Sequence, residues 1–199
     1  VDIHTVTASE VFGLPKEMIT PELRSRAKAV NFGIVYGIGA FSLAKDIGVS
    51  RKTAAEYIEG YLRTYSGVAK FMEETVEKAR KTGYTTTLFS RRRYLPELTA
   101  SNAILRAAGE RIARNMPIQG TAADIIKIAM VRVSKRFVEE KLDAHLIMQV
   151  HDELIVEAKE DIAEKVAEIV TNEMQNAVKL SVPLIVDTGY GKTWYDAKG

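Results

Sequence analysis

The sequence contains no cysteine, which excludes disulfide bonds and thiolate metal sites. It also has no run of about 18 apolar residues and no signal-peptide pattern, so we expect no membrane span and no membrane partner. The lack of cysteine fits an intracellular protein. The chain has no initiator methionine and opens in a segment that already looks structured, which predicts a piece of a longer polypeptide.

An excess of charge of one sign is missing as well. Lysine and arginine number 28 against 26 aspartates and glutamates, for a net charge of +2. This balance does not by itself indicate a nucleic-acid partner, so such a partner has to be argued from where the cations lie. The 199 residues are 46% hydrophobic and 27% charged, which suffices for the core of a soluble protein.

Helical patterns dominate up to about residue 140. Thr20 is placed to cap a helix that has Pro21 at its first position and ends near Gly37 or Gly39. Pro117 predicts a kink or break in a later helical stretch. The further helices are predicted over roughly residues 40–46, 51–65, 68–81, 101–116 and 121–140. Threonines and aromatics around an arginine-rich tip predict a strand-turn-strand unit over residues 85–96.

The pattern changes at residue 144. Two short apolar runs, residues 145–150 and 153–158, flank His151 and Asp152 and predict a hairpin. A helix over roughly 160–179 and a strand over 182–188 should follow. We therefore expect an α+β protein that is mostly α, with the change near residue 143 as its subdomain boundary.

A repeated spacing marks the first of these helices. Its members recur every four residues: Arg24, Lys28, Phe32 and Tyr36. In a helix this spacing forms a ridge of adjacent side chains that drifts by about 40° per step. Two cations near the N-terminal half suit the oxygens of a polyphosphate, and the aromatics beyond them suit a base or sugar. The alternative is an amphipathic helix with solvated cations and two core aromatics.

The predicted hairpin tip carries His151, Asp152 and Glu153. A carboxylate at a tight turn is usually turn chemistry. The flanking strands are strongly apolar, however, so this tip would emerge from a buried sheet. Carboxylates on a rigid hairpin are suited to Mg²⁺, which prefers hard oxygen ligands.

Two further groups of polar residues suit nucleic acid. Arg111, Asn115 and Gln119 recur at the same four-residue spacing across Pro117, and such side chains can bond base edges and sugar oxygens in the minor groove. Arg91, Arg92 and Arg93 form a loop cluster that can hold a backbone phosphate. A solvated polar helix face and a solvated loop remain the alternatives.

These motifs together resemble family A DNA polymerases, of the bacterial DNA polymerase I type. The spacing R-x-x-x-K-x-x-x-F-x-x-x-Y-G resembles the nucleotide-binding fingers helix of that family. RRRYLP, NMPIQGTAAD and QVHDELIVEA resemble later motifs, in the family's order, and DIHTVTA resembles the segment just before the fingers helix. The similarity spans essentially the whole chain and implies the C-terminal fingers and palm portion. Residues 1–143 would be a helical fingers subdomain and 144–199 the later part of an antiparallel-sheet palm.

The resemblance also implies a role for each residue that matches a motif. Residues that would bind the incoming dNTP are His4, Arg24, Lys28, Phe32 and Tyr36. Residues that would contact primer-template DNA are Arg111, Asn115, Gln119 and His151, with Arg92 and Arg93 as backbone contacts. Catalytic roles would fall to Asp152 as a metal ligand, to its neighbour Glu153 and to Lys28, which could protonate the leaving pyrophosphate.

The family's remaining parts are expected elsewhere. Its chemistry uses two Mg²⁺ ions, and its other catalytic aspartate lies in a D-Y-S-Q-I-E-L-R type motif before the DIHT segment, which this sequence does not contain. The thumb is missing too. We therefore expect the missing N-terminal part of the polymerase as a partner, in the same or a separate chain. The resemblance implies that residues 1–199 alone are inactive and that the location is the bacterial cytoplasm, with the nucleoid.

Residues 42–58 also allow a different functional interpretation, as part of a DNA-binding regulator. Their Ala, Gly-Val-Ser and Thr-Ala pattern resembles the helix-turn-helix of DNA-binding regulators, with Arg51 and Lys52 beginning a recognition helix. Tyr57 and Tyr61 continue that helix as an aromatic ridge, which is more typical of packing. This alternative also leaves the stripe of residues 24–36 unexplained.

Overall fold

The computed structural model describes residues 2–198, with side chains to residue 197. The described chain is mostly helical with two small antiparallel sheets, which confirms the expected α+β class. Its backbone divides into two compact units, Val1–Ile118 and Gln119–Gly199. The boundary expected near residue 143, from the change in sequence texture, stays a prediction.

Two capped helices open the first unit. Helix α1 spans Ile3–Phe12 and α2 spans Pro21–Val35. Thr20 caps α2 as predicted, because its hydroxyl accepts from the backbone N–H of Leu23 at 3.3 Å. Asp2 caps α1 in the same way, with its carboxylate accepting from the N–H of His4. Both helices therefore begin where the sequence places a short polar side chain.

Three more helices complete the core around α2. They are α3, Ala40–Ile47; α4, Arg51–Thr64; and α5, Ser66–Thr82. The buried cluster they share with α2 includes Val30, Ile34, Leu43, Ala54 and Tyr61. Gly48 separates α3 and α4 with a φ of +67°, and Ser50 then caps α4. These bounds agree with the predicted helices to within about two residues.

The strand-turn-strand unit forms as predicted. Strand β1 (Tyr84–Thr86) pairs antiparallel with β2 (Arg92–Tyr94). A 3-10 turn over Pro96–Thr99 follows and buries Leu98 in a small cluster with Leu95. This packing anchors the arginine-rich hairpin.

The break expected at Pro117 does not occur. Helix α6 continues through it, from Ala103 to Glu139. A proline removes a single backbone N–H, so one hydrogen bond is lost while the bonds of the neighbouring turns continue on both sides. The prediction of a break, with two separate helices, was therefore wrong, whereas the alternative of a kink stays a prediction.

The second unit contains the C-terminal half of α6, followed by a hairpin and a helix. Strands β3 (Ala144–Val150) and β4 (Glu153–Ala158) pair antiparallel, with a register shift between Leu146 and Met148. Helix α7 spans Ala163–Gln175, so it is shorter than the predicted 160–179. The residues that form the core here are Val133, Phe137, Ala144, Val166, Ile169 and Val170.

The strand predicted over residues 182–188 is not formed in the described chain. Val182 and Ile185 are 63% and 79% exposed. Both sheets among residues 2–198 have only two strands, and residues 182–188 pair with neither of them. A short helix, α8 (Trp194–Lys198), follows it. Across the described residues, every helix is too short or too polar to cross a bilayer.

Candidate functional site

The stripe on α2 faces solvent. Phe32 and Tyr36 are 48% and 42% exposed, and their rings stack with centroids 6.4 Å apart. Arg24 and Lys28 are exposed on the preceding turns. The buried face of α2 is formed instead by Ala27, Val30, Asn31 and Ile34. The alternative that placed the two aromatics in the core is therefore wrong, and all four stripe residues are available to a ligand.

Gly37 ends the helix immediately after the stripe. It has a φ of +72°, and the N–H of Ile38 donates to the carbonyl of Gly33 at 2.7 Å to close the turn. A Cβ at Gly37 would lie 3.1 Å from Cγ of Arg111. The left-handed backbone favours glycine here, and a side chain would also crowd Arg111, which belongs to another predicted site group.

Arg24 is held by a carboxylate. Its Nε donates to Oδ2 of Asp2 at 2.6 Å and its Nη2 to Oδ1 at 3.2 Å. The Arg24 guanidinium, and then the Thr5 hydroxyl, hold the pKa of Asp2 well below its usual range. The same contact raises the pKa of Arg24. Arg24 is therefore oriented in the unliganded structure.

His4 lies against the aromatic end of the stripe. Its ring centroid is 5.7 Å from that of Phe32, and its Nδ1 is 3.0 Å from Nδ2 of Asn31. The predicted nucleotide residues on α1 and α2 are thus brought together. Asn31, which is 8% exposed, was not predicted from the sequence. A polar residue on the apolar face of a helix was the signal that could have found it.

The minor-groove candidates lie on α6. Arg111 and Gln119 are exposed, whereas Asn115 is half-buried. The Oδ1 atom of Asn115 is buried and has no hydrogen-bond partner among residues 2–198. The neighbouring Glu110 is already engaged, by Arg80 at 2.5 Å and Arg114 at 3.3 Å, and has a structural role.

The arginine-rich hairpin holds one of its arginines, Arg92, against an aromatic ring. The guanidinium of Arg92 lies 4.7 Å from the ring centroid of Tyr84, which packs edge-on against Tyr94 at 5.7 Å. A hydrogen bond with Tyr94 raises the pKa of Arg92. Arg93 on the same strand is exposed. The aromatic support was not predicted, although one tyrosine in each strand, Tyr84 and Tyr94, was a signal for a cross-strand aromatic pair.

The acidic tip is a two-residue loop in the second unit. Val150 pairs with Glu153, so His151 and Asp152 form the turn, and His151 has a φ of +51°. Both are exposed, and Gln149 donates to the carbonyl of His151 at 2.5 Å. The hairpin therefore displays Asp152 at its end, as predicted.

The tip can supply one carboxylate to a metal site, but not the whole set of metal ligands. Asp152 offers two hard oxygens to solvent, and Glu153 is half-buried beside it. No group of three or more His, Cys, Asp or Glu side chains able to hold a metal occurs within residues 2–198. Asp152 can thus contribute to a magnesium site, to which other ligands must be added.

The comparisons with known proteins agree with one another. The model of DNA polymerase family A matches residues 1–196. DNA polymerase I of Bacillus caldotenax is 52% identical over 198 residues, which are 100% of this chain and 23% of that protein. The thermostable DNA polymerase I of Thermus thermophilus is 46% identical over 100% of this chain and 24% of its own length.

A solved structure is similar throughout. The POL domain of Pol1 from M. smegmatis, in complex with DNA primer-template and dNTP, has a TM-score of 0.94 and 43% identity, and the match covers 99% of this chain and 35% of that one. The chain therefore spans about a quarter of the length of the curated relatives it matches. None of these relatives supports the helix-turn-helix regulator. Arg51 and Lys52 lie at the start of α4, but Tyr61 further along it is buried.

Proposed function

Because this chain belongs to DNA polymerase family A, we propose that it is the C-terminal fingers and palm portion of an enzyme for template-directed DNA synthesis. Its substrates are dNTPs and primer-template DNA, which the similar M. smegmatis domain is described as holding. The single observation that carries the proposal is the exposed stripe on α2, with His4 packed beside its aromatic end. We propose residues 1–143 as the fingers and 144–199 as the palm part.

The stripe binds the incoming nucleotide lengthwise. Arg24 offers a forked donor and Lys28 a point charge one turn along, so both bind triphosphate oxygens. His4, whose ring lies beside Phe32, adds a third donor for the phosphates. Phe32 and Tyr36 are already stacked and exposed, and they lie against the sugar and base. The binding energy thus comes from charge at one end and ring surface at the other.

Lys28 is the residue of this group nearest to the chemistry. In the reaction the primer 3′-hydroxyl oxygen bonds to the α-phosphorus, the bond to the pyrophosphate oxygen breaks, and the hydroxyl proton leaves to solvent. Negative charge grows on the phosphoryl and leaving oxygens, and a preorganised ammonium stabilises it. Lys28 can also give a proton to the departing pyrophosphate. Its exposure lets it follow those oxygens as they separate.

Asp152 supplies a carboxylate to the metal site. When bound, two Mg²⁺ ions would stabilise the attacking and leaving oxygens. Asp152 is presented by the turn of the β3–β4 hairpin, and Glu153 begins β4 behind it. Since the described residues offer no larger cluster of ligands, we propose that the second catalytic aspartate comes from the N-terminal part of the polymerase and that residues 1–199 alone are inactive.

The remaining polar groups bind duplex DNA. Arg111, Asn115, Gln119 and His151 contact the minor groove, where acceptors are common to all base pairs, so they sense pair geometry without reading sequence. Arg92 and Arg93 contact the phosphate backbone. The proposed location is the bacterial cytoplasm, at the nucleoid.

The test is primer extension by a chimera. Residues 1–199 replace the matching stretch of the Bacillus caldotenax DNA polymerase I, to which they are 52% identical. We expect the chimera to extend a primer on any template sequence with Mg²⁺ and the 199-residue chain alone to be inactive. An inactive chimera that folds and binds DNA would count against the proposed polymerase function. Primer extension by the isolated chain would count against the proposal that residues 1–199 alone are inactive.

A further inference from the structure

Asp2 is the one carboxylate in contact with a proposed nucleotide residue among residues 2–198. We propose that Asp2 is a positioning residue, which holds the guanidinium of Arg24 so that its remaining donors face the triphosphate. This inference rests on the proposed function, since it concerns the same site. It deepens that proposal by adding a residue that does not itself touch the nucleotide.

Asp2 is itself firmly placed. Its Oδ1 accepts from the backbone N–H of His4 at 3.2 Å, which makes it the cap of α1. Its Oδ2 accepts from the hydroxyl of Thr5 at 2.5 Å. Two contacts to the first turn of α1 therefore fix the carboxylate before it meets Arg24 on α2.

The contact with Arg24 uses one edge of the guanidinium. Nε and Nη2 each donate to a different oxygen of Asp2, at 2.6 and 3.2 Å. A guanidinium has five N–H donors, so three remain, two on Nη1 and one on Nη2. The Arg24 side chain is still 46% exposed, so these three can reach a ligand. Asp2 therefore occupies the Nε–Nη2 edge of the guanidinium and leaves the Nη1 side available to a ligand.

The benefit of holding Arg24 in place offsets the repulsion between the Asp2 carboxylate and the triphosphate. A free arginine loses much rotamer freedom when it binds a ligand, and a side chain already held in place loses less. Asp2 also places a negative charge near the proposed triphosphate, which opposes binding. The bidentate geometry and the shared attachment to α1, which carries His4, indicate that orientation dominates.

The same helix offers a matched control. Glu22 accepts from Nη2 of Arg26 at 2.7 Å, an i to i+4 pair within α2 that lies beside the stripe. Replacing Glu22 by Gln removes the same charge as replacing Asp2 by Asn, near the same end of the helix. If charge alone mattered, both changes would tighten binding of an anion.

The experiment measures the binding of dATP and of inorganic triphosphate, with Mg²⁺, to the 199-residue chain and its variants. Asp2→Asn keeps an acceptor for the cap of α1 but loses the ion pair, and we expect about fivefold weaker binding. Glu22→Gln should leave binding unchanged or tighter. In an Arg24→Ala background, Asp2→Asn should have no further effect.

A spectroscopic readout separates positioning from a purely structural role. The Nε–H resonance of Arg24 should be sharp and protected from exchange in the original chain and broadened in Asp2→Asn, while circular dichroism stays unchanged. Asp2→Glu should restore part of the protection.

The outcomes distinguish the two proposals. If Arg24→Ala weakens binding but Asp2→Asn does not, or tightens it, the inference is wrong and the proposed function stands. Loss of binding in Asp2→Asn that persists in the Arg24→Ala background would show a structural role and also overturn the inference. If Arg24→Ala has no effect, or the original chain binds neither probe, the nucleotide role of Arg24 fails and the inference fails with it.

Discussion

The stripe on α2 and the acidic tip of the β3–β4 hairpin carry the two halves of the proposed chemistry, and they are built differently. In the stripe, Asp2 already holds Arg24, and beside the stripe Asn31 lies against His4. At the tip, Asp152 is exposed on a two-residue turn, and the described residues add no cluster of metal ligands.

This difference separates binding from catalysis. Residues that bind a nucleotide can be supplied by two helices that pack against each other, because their positions follow from local structure. A two-metal site needs several carboxylates that converge from different strands. The four stripe residues lie within one unit, whereas in the proposed function the tip shares its metal ions with ligands outside the described residues.

The largest expected effect is at the tip. In the chimera, Asp152→Asn should lower the rate of primer extension about 1,000-fold or more, because a metal ligand is lost, while dNTP binding to the stripe is kept. Single-turnover extension and dNTP titration measure the two quantities. Glu157→Gln, on the exposed part of β4, is the matched control and should leave the rate unchanged. Normal extension by Asp152→Asn would break the comparison.

The next effect is in the stripe. Lys28→Ala should lower kcat/KM of the chimera about 100-fold, because a cation that stabilises the transition state is removed. Its stability should not change, since Lys28 is exposed. Lys52→Ala, an exposed lysine on α4, serves as control. Equal losses in both variants would indicate a general loss of charge and not a site.

A stability measurement tests how strictly the end of the stripe is built. Gly37→Ala should lower the free energy of unfolding by about 1–2 kcal/mol, because alanine is strained at this φ. The added Cβ also crowds Arg111. Gly60→Ala lies inside α4 with open space around it and should instead stabilise by about 0.5–1 kcal/mol. Urea unfolding measures both, and a stable Gly37→Ala would show that the end of the stripe tolerates change.

The smallest expected effect is the dependence of stability on acidic pH. The pKa of Asp2 is lowered by Arg24, so its contribution to stability is fully present above the ordinary carboxyl pKa and is lost as pH falls through the lowered value. The difference in stability between the original chain and Asp2→Asn should therefore shrink as the solution is acidified below pH ~4. Unfolding curves at several pH values check this. If the difference in stability between the two chains does not depend on pH, the negative charge of Asp2 does not contribute to the stability of the folded chain.

Much of the site was predicted because it is local. Thr20 and Pro21 set the start of α2, and a four-residue spacing then placed the stripe on one face. The hairpin tip followed from two apolar runs around His151 and Asp152. By contrast, the support of Arg24 by Asp2 joins residues 22 positions apart, and no periodicity reports such a contact.

The sequence by itself determined the helices, the arginine-rich hairpin and the family motifs, since caps, turns and apolar spacing act over a few residues. Only the tertiary structure decided that Phe32 and Tyr36 face solvent, that α6 continues through Pro117 and that residues 182–188 form no strand. Each of these depends on which neighbours bury a side chain or complete a hydrogen bond. Such neighbours come from distant parts of the chain, so local chemistry does not specify them.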